Sequence, residues 1–465
     1  MTEFGKSLGI QETSIPGLLI LDLPVHGDSR GWFKENWQRE KMRAAGLPDF
    51  GPVQNNISFN DEIGVTRGIH AEPWDKFVSV ASGKIFGAWV DLRERESFGS
   101  VFTAELDAST AVFVPRGVAN SYQTLEADTA YVYLVNDHWS PDAEYTFVNL
   151  ADETIGIQWP IPLENALLSE KDKAHPRLDD VKPMKPKKTL VLGANGQLGL
   201  ALRQVMPEAD FATREEFDVT THSAYVSFPW RQYDTVINAS AFTAVDAAET
   251  PEGRAAAWKT NVTAVGWLAK ACTENRITLV HISSDYVFDG ASTTPYREDE
   301  PLSPLGVYGQ TKAATDALVE TVPQHFVLRT SWVIGEGNNF VRTMASLAER
   351  GIKPSVVNDQ VGRLTFTQDL AAAIQHLLAT RPAYGVYNLS NEGPASSWAD
   401  IASQVYELLG HNSGDVTGVT TSEYFAGKEG IAPRPLNSML DLSKIKSTGL
   451  SPASWQERLQ QYLSS

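Results

Sequence analysis

Cysteine is almost missing from these 465 residues, with Cys272 the only one. One thiol makes no intrachain disulfide and no thiolate metal cluster, so the fold must close by packing alone. Cys272 falls in an apolar helical pattern and reads as a buried structural thiol. No apolar run reaches the length needed to span a bilayer. The opening MTEFGKSLGIQETS has neither the basic patch nor the apolar stretch of a secretory leader. Positive charge is scarce: 39 Lys and Arg face 57 Asp and Glu, a formal net charge of −18. That shortage opposes nonspecific nucleic-acid binding, which depends on neutralising phosphates. A few local cations can still hold one small phosphorylated ligand. There is no internal repeat and no low-complexity tract. These absences leave a cytoplasmic enzyme as the expectation, with no membrane and no nucleic-acid partner.

What is present divides in two. Residues 15–160 alternate short β-rich runs with turn signals, as in GVTRGIH (64–70), KFVSVASGKIFGAWVDLR (76–93) and TAYVYLVN (129–136). Such spacing predicts an all-β sandwich or barrel. The stretch DDVKPMKPKK (179–188) reads as a linker without an apolar face. We expect a first domain over 1–182, a linker over 183–187 and a second domain over 188–465. In the second half strand-like TLVLG, YDTVINAS, TLVHISS and HFVLRTSWV alternate with helical segments, the clearest being 254–275. That rhythm predicts an α/β domain with a parallel sheet covered by helices, followed by a small, mixed C-terminal lobe.

The second half carries chemistry at three places. KKTLVLGANGQLG (187–199) runs from a strand through Gly193, Gly196 and Gly199 into a helix. Glycines let such a turn approach a pyrophosphate, and the helix N-terminus supplies N–H donors. Ser283 and Ser284 close a predicted parallel strand, at the edge where ligands bind in open α/β sheets. Tyr308 and Lys312 lie four residues apart, on one face if helical. A neighbouring ammonium lowers a tyrosine pKa, which suits a proton donor to a carbonyl. In the first half His70 stands alone in a strand-like run, where a histidine is more often structural than catalytic. His26, His70 and His138 lack the close spacing of a metal site.

GANGQLG (193–199), DVT (218–220), VINASAFTAVDAAE (236–249), HISSDYVFDG (281–290), YGQTK (308–312), LRTSWVIG (328–335) and NDQVGRLT (358–365) resemble the extended short-chain dehydrogenase/reductase superfamily. They are closer still to the dTDP-4-dehydrorhamnose reductases. The resemblance implies a Rossmann-type domain in which Tyr308 protonates a C4 oxygen while nicotinamide delivers hydride to C4. Lys312 would lower the tyrosine pKa and hold the ribose. Ser284 stands where the family has threonine and keeps a hydroxyl. Ser284, Asp285 and Trp332 would face the sugar. Gly193, Asn195, Gly196, Gln197, Leu198 and Gly199 would hold the cofactor phosphates. Asp218 and Val219 would flank the adenine, with Ala239, Ser240 and Ala241 beside them. Arg214, in FATREEF, is placed to accept a 2′-phosphate. The cofactor expectation is therefore NADPH, with NADH as the alternative because Glu215 and Glu216 follow.

DSRGWFKENW (28–37), QNNIS (54–58), GVTRGIH (64–70), KFVSVASGKI (76–85), VDLR (90–93), VFVPRGVANSY (112–122) and LSEKD (168–172) resemble, in order, the dTDP-4-dehydrorhamnose 3,5-epimerases. Those are metal-free cupin-like jelly rolls, usually dimeric through exchanged strands. The resemblance implies that His70 is a base oriented by Asp172 and that Tyr133 is the acid on the opposite face of the sugar. Lys76 would stabilise an enolate oxygen. Gln54, Asn56, Arg67 and Asn120 would contact substrate, and Arg30 and Glu35 its nucleotide end. The chemistry is coherent: C3 and C5 flank one ketone, so their protons are acidic through enolates. This chain departs from the family at Asn120 (usually His), Gly87 (usually Asp) and Trp139 (usually Tyr), and in the shorter loop AEPWDK. The family's second His–Asp pair is thereby lost. Three readings follow. The first is a fused epimerase–reductase converting dTDP-4-dehydro-6-deoxy-D-glucose to dTDP-L-rhamnose. The second is a single-carbon epimerase with a reductase making another deoxysugar. The third is a passive sugar-nucleotide-binding barrel beside an active reductase.

Overall fold

The computed structural model describes residues 4–138 and 143–464. The chain separates into two compact units, Met1–Pro186 and Lys187–Ser465.

Short strands build the first unit, alternating in burial at Gln54–Asn60 and buried along most of their length at Lys76–Ser82, Ile85–Asp91, Thr110–Val114 and Val118–Thr124. In chain order they are β1 (Gly9–Glu12), β2 (Leu19–Asp22), β3 (Val25–Asp28), β4 (Gly31–Lys34), β5 (Gln54–Asn60), β6 (Thr66–Ala71) and β7 (Lys76–Ser82). Then come β8 (Ile85–Asp91), β9 (Val101–Leu106), β10 (Thr110–Val114), β11 (Val118–Thr124), β12 (Thr129–Val135) and β13 (Thr146–Phe147). One sheet has the order β1-β2-β10-β7-β12-β5 and the other β13-β6-β11-β8-β9, while β3 and β4 form a separate hairpin. All pairings in these two sheets are antiparallel. Ile15, Leu18, Val78, Val80, Trp89 and Val112 meet in a core between them. Two short helices flank the sheets, α1 (Arg39–Ala44) and α2 (Glu170–Lys173).

The stretch expected to be a featureless linker is partly barrel. Val181 and Met184 are buried. Met184 N donates to Leu92 O and Met184 O accepts from Glu94 N. Single apolar residues set among lysines and prolines have no period, so the pattern hid this short pairing.

The second unit runs β14 (Lys188–Leu192), α3 (Gln197–Val205), β15 (Asp210–Ala212), α4 (His222–Ser227), β16 (Tyr233–Asn238), α5 (Pro251–Ala257), α6 (Ala264–Asn275) and β17 (Thr278–Ser284). It continues with α7 (Val307–Val319), β18 (His325–Thr330), α8 (Phe340–Glu349), α9 (Thr367–Thr380), β19 (Gly385–Asn388) and α10 (Trp398–Leu408). The sheet order is β15-β14-β16-β17-β18-β19, all parallel. Successive strand residues serve opposite faces: Val191, Ile237, Val280 and Leu328 enter one core, and Leu190, Val236, Leu279 and Val327 the other. Both faces are thus covered, as near-continuous apolar strands require. A third cluster, including Ile334, Val341, Phe366, Val405 and Trp455, forms the small lobe. The helix expected over 254–275 is broken by a π turn at Trp258–Thr263. No helix among the described residues is long and apolar enough to cross a membrane.

Candidate active sites

In the barrel, strand β6 presents His70 and helix α2 presents Asp172. Ser169 caps α2 by accepting from Asp172 N at 3.1 Å, which fixes the carboxylate early in the helix. His70 Nε2 and Asp172 Oδ1 are 3.0 Å apart. Burial works to raise the Asp172 pKa. The hydrogen bond and charge of His70, with Ser169, outweigh it and hold the carboxyl below its ordinary value. His175 was not foreseen, although it lies three residues beyond Asp172. Its ring stacks on Phe147 and sits 5.2 Å from the His70 ring. Burial and then the nearby His70 lower its pKa, so it favours the neutral form. The ligand atoms of His70, Asp172 and His175 all lie within 4.8 Å of one another. The histidine that joins His70 is thus neither His26 nor His138.

The other wall comes from β12, β5 and β7. Tyr133 stands opposite Asn56, whose Oδ1 accepts from Gln54 Nε2 at 2.8 Å. Lys76 is buried, its ammonium 5.4 Å from the Tyr133 ring centroid. Its ion-pair partner is Glu72, a residue no sequence signal marked. Burial first, and then Glu72, push the Tyr133 phenol up. The two walls meet at Asn120, the cross-strand partner of His70, which accepts a hydrogen bond from Tyr131 Oη at 2.8 Å. Arg67 Nε donates to Asn60 Oδ1 at 3.3 Å. Arg30 and Glu35 are not brought to His70. Arg30 pairs with Asp28 on the exposed hairpin, and Glu35 with Lys41. Trp139 lies outside the described residues. A Cβ on Gly87 would meet the Trp89 ring at 2.3 Å, so indole fills the place of a side chain there.

In the second unit the crevice opens where strand order reverses around β14. Gly193 has φ +86°, and a Cβ there would lie 2.8 Å from Ser240 N. The glycine turn and the Ala239–Ser240–Ala241 loop therefore pack together. Ser240 Oγ donates to Asn238 Oδ1 at 2.6 Å. Helix α3 starts after Gly196 with no side-chain cap, and buried Gln197 Oε1 has no partner among the described residues. First-turn N–H groups left uncapped beside glycines fit a dinucleotide pyrophosphate. Asp218 accepts from Thr220 N and Oγ1, and Glu216 accepts from Thr213 N. Arg214 is 83% exposed, 3.7 Å from Asp218.

Helix α7 places Tyr308, Lys312 and Asp316 on one face. It has no cap of its own; Glu249 Oε1 accepts from Val307 N at 2.8 Å instead. Lys312 Nζ donates to Ile282 O at 2.9 Å, and Asp316 pairs with Arg329 at 2.9 Å. Burial brings Lys312 down to about 8, against the pull of Asp316. Tyr308 differs from expectation. Burial raises its pKa, Asp285 adds to this, and the Ser284 hydroxyl opposes it; Lys312 is not what sets it here. Ser284 Oγ donates to Asp285 Oδ1 at 2.9 Å, and burial lifts Asp285 to about 6. Trp332 adopts φ +47°, a costly conformation that marks constrained sites. It stacks on Trp398 at 3.8 Å. The π turn also has a purpose: Asn261 inside it donates to Phe242 O and Thr311 Oγ1 and accepts from Phe242 N. It ties the loop after β16 to α7. Neither Asn261 nor Trp398 carried a sequence signal, and Glu249, the last residue of VINASAFTAVDAAE, carried no assigned role.

Fold and sites define a class: a jelly roll with a His–Asp pair facing Tyr and Lys, joined to a dinucleotide-binding unit with a Ser, Tyr and Lys set. Residues 12–180 match the family model described as dTDP-4-dehydrorhamnose 3,5-epimerase, and residues 187–465 that described as RmlD substrate binding domain. The first unit is similar to the RmlC homolog of Streptococcus pyogenes serotype M6, 55% identical over 40% of this chain and 99% of that protein. The second is similar to the spore coat polysaccharide biosynthesis protein SpsK of Bacillus subtilis, 39% identical over 59% of this chain and 96% of that protein. It is also similar to the crystal structure of dTDP-4-dehydrorhamnose reductase from Bacillus anthracis in complex with NADP. That match has 31% identity and TM-score 0.54, and covers 60% of this chain and 99% of that chain. The chain belongs to the dTDP-4-dehydrorhamnose 3,5-epimerase family over its first unit and to the RmlD family over its second.

Proposed function

We propose that the chain catalyses two consecutive steps, epimerising dTDP-4-dehydro-6-deoxy-D-glucose at C3 and C5 and then reducing the C4 ketone to give dTDP-L-rhamnose. The observation that carries this reading is the coexistence of both sites in one chain, since the product of the first is the substrate of the second.

In the barrel His70, held by Asp172, removes a proton beside the ketone. Lys76 stabilises the oxygen as charge develops on it. Tyr133, high in pKa and therefore protonated, returns a proton from the opposite wall. Gln54, Asn56, Arg67 and Asn120 hold the sugar. Arg30 and Glu35 hold the nucleotide end in a homodimer, a reading supported by exposed Ile57 (67%) and Phe59 (54%) on edge strand β5.

In the second unit the glycine turn and the start of α3 bind the cofactor pyrophosphate, with Asp218, Val219 and Ala239–Ala241 around the adenosine. Arg214 favours a 2′-phosphate, because Glu216 is engaged by its own turn; this supports NADPH. A nicotinamide bound there would supply hydride to C4. Tyr308 gives its proton to the C4 oxygen, Ser284 orients that oxygen, and Lys312 supplies positive charge beside both. Asp285 and Trp332 border the sugar. A lone buried thiol and an NADPH-dependent step support a cytoplasmic setting.

The test uses purified protein with the 4-keto sugar nucleotide. NADPH is consumed if the reductase reading holds, and Tyr308→Phe abolishes that consumption. Without NADPH, solvent deuterium enters C3 and C5, and His70→Ala slows entry by about 10²-fold or more. Normal conversion by His70→Ala identifies a passive barrel. One observation favours a second reading. Asn120 and the Trp89-filled space at Gly87 leave a single His–Asp pair, and NMR of the product shows whether one centre or both are inverted.

A further inference from the structure

We infer that Tyr131 fixes the Asn120 amide so that its Nδ2 is a permanent hydrogen-bond donor to a sugar oxygen beside His70. This rests on the epimerase reading of the barrel and deepens it.

Asn120 on β11 and His70 on β6 are directly opposed in register. Opposed residues of an antiparallel pair project to the same face, so both point into the pocket. Tyr131, 3% exposed, reaches Asn120 from the other sheet. Its hydroxyl donates to Asn120 Oδ1 at 2.8 Å, its one hydrogen bond among the described residues. An asparagine amide offers an acceptor at oxygen and only donors at nitrogen. With the amide reversed, the NH2 group would donate to the phenol oxygen, but the phenol proton would be left without an acceptor in a buried site, which costs about 1–3 kcal/mol. The oxygen is therefore held to Tyr131 and the nitrogen is turned away from it. Asn120 Nδ2 has no hydrogen-bond partner among the described residues, and the side chain keeps 9% exposure.

The phenol is itself immobilised. Its ring stacks on Tyr122 at 4.2 Å and 17°. Tyr122 Oη is held in turn by Asn60 Oδ1 at 3.3 Å and Ser58 Oγ at 3.1 Å. Burial keeps Tyr131 protonated and hence a donor. A preset donor loses little freedom when substrate arrives. An amide does not titrate, so this donor persists at any pH. Trp89 against Gly87 also leaves no room for a carboxylate that would convert the position into a second base pair.

The experiment is deuterium entry at C3 and C5 from D2O without NADPH, on the full chain, with kcat and KM separated. Variants are Asn120→Ala, Asn120→Asp, Tyr131→Phe and Asn120→Ala/Tyr131→Phe, each checked by thermal unfolding. Asn120→Ala should lower kcat/KM by about 10–100-fold, the range of one buried donor. Asn120→Asp keeps the shape but puts an acceptor in place of the donor, and should lose at least as much. Tyr131→Phe should lose about fivefold or more, and the double variant no more than Asn120→Ala, because Tyr131 acts through Asn120. Wild-type rates in Asn120→Asp, or multiplicative losses in the double variant, overturn the inference. If Tyr131→Phe does not fold, the two Asn120 variants alone decide it. Absence of exchange in the wild-type protein overturns the epimerase reading and this inference with it.

Discussion

At the scale of residues, burial governs more of the chemistry than residue type. Asp285 is the sharpest case, with its carboxyl raised from 3.8 to about 6 mainly by burial. Between those values the folded protein holds a proton that the unfolded chain has released. Stability from this group therefore falls as pH rises through about 4–6, and the penalty persists above. Asp285→Asn removes the titration while keeping an acceptor for Ser284. It should melt a few degrees above the parent at pH 7, with the gap shrinking toward pH 4, as calorimetry across that range would show. The same physics explains what was legible. Tyr308 and Lys312 were visible because their spacing of four is itself a statement about one helix face. Asp172 stands about a hundred positions from His70, so no local pattern could join them; only resemblance did. Glu72 and His175 make their contacts through chain reversals that composition does not encode. Spacing says nothing about desolvation, which is what raises the Tyr308 phenol.

At the scale of elements, the helix that carries Tyr308 and Lys312 depends on a neighbour for its beginning. Helix α7 starts at Val307 after Gly306, whose lack of a side chain leaves no local cap, and Glu249 supplies the acceptor from the short 3-10 turn Ala247–Glu249 before α5. Glu249→Gln retains an acceptor but loses the negative charge at a helix N-terminus, while Glu249→Ala loses both. We expect NADPH oxidation to fall by roughly fivefold in Glu249→Ala and less in Glu249→Gln, since a lost cap costs about 0.5–2 kcal/mol. Deuterium entry, which uses only the barrel, should be unchanged in both. Alternating strands and amphipathic helices made the sheets legible from sequence. The π turn was not, because its cause is a side chain reaching a loop nearly twenty residues away.

At the scale of the whole molecule, the break between units falls at Pro186 and Lys187. The barrel thus claims Met184 from the stretch that composition marks as spacer. A chain ending at 182 should melt below one ending at 186, by the equivalent of about 1.5–3 kcal/mol for one buried methionine. Differential scanning of the two fragments checks this. Equal stability would mean that the Met184 pairing contributes nothing.

The π turn at Trp258–Thr263 also makes the chain sensitive to its own length. Such a turn holds one residue more than an α-helix needs. Deleting a single residue there would give α5 and α6 a smoother junction. Each residue turns an α-helix by about 100°, so the same deletion would swing Asn261 off both Phe242 and Thr311. The shortened chain would then have a more regular helix, and α7 would be cut loose from the loop after β16.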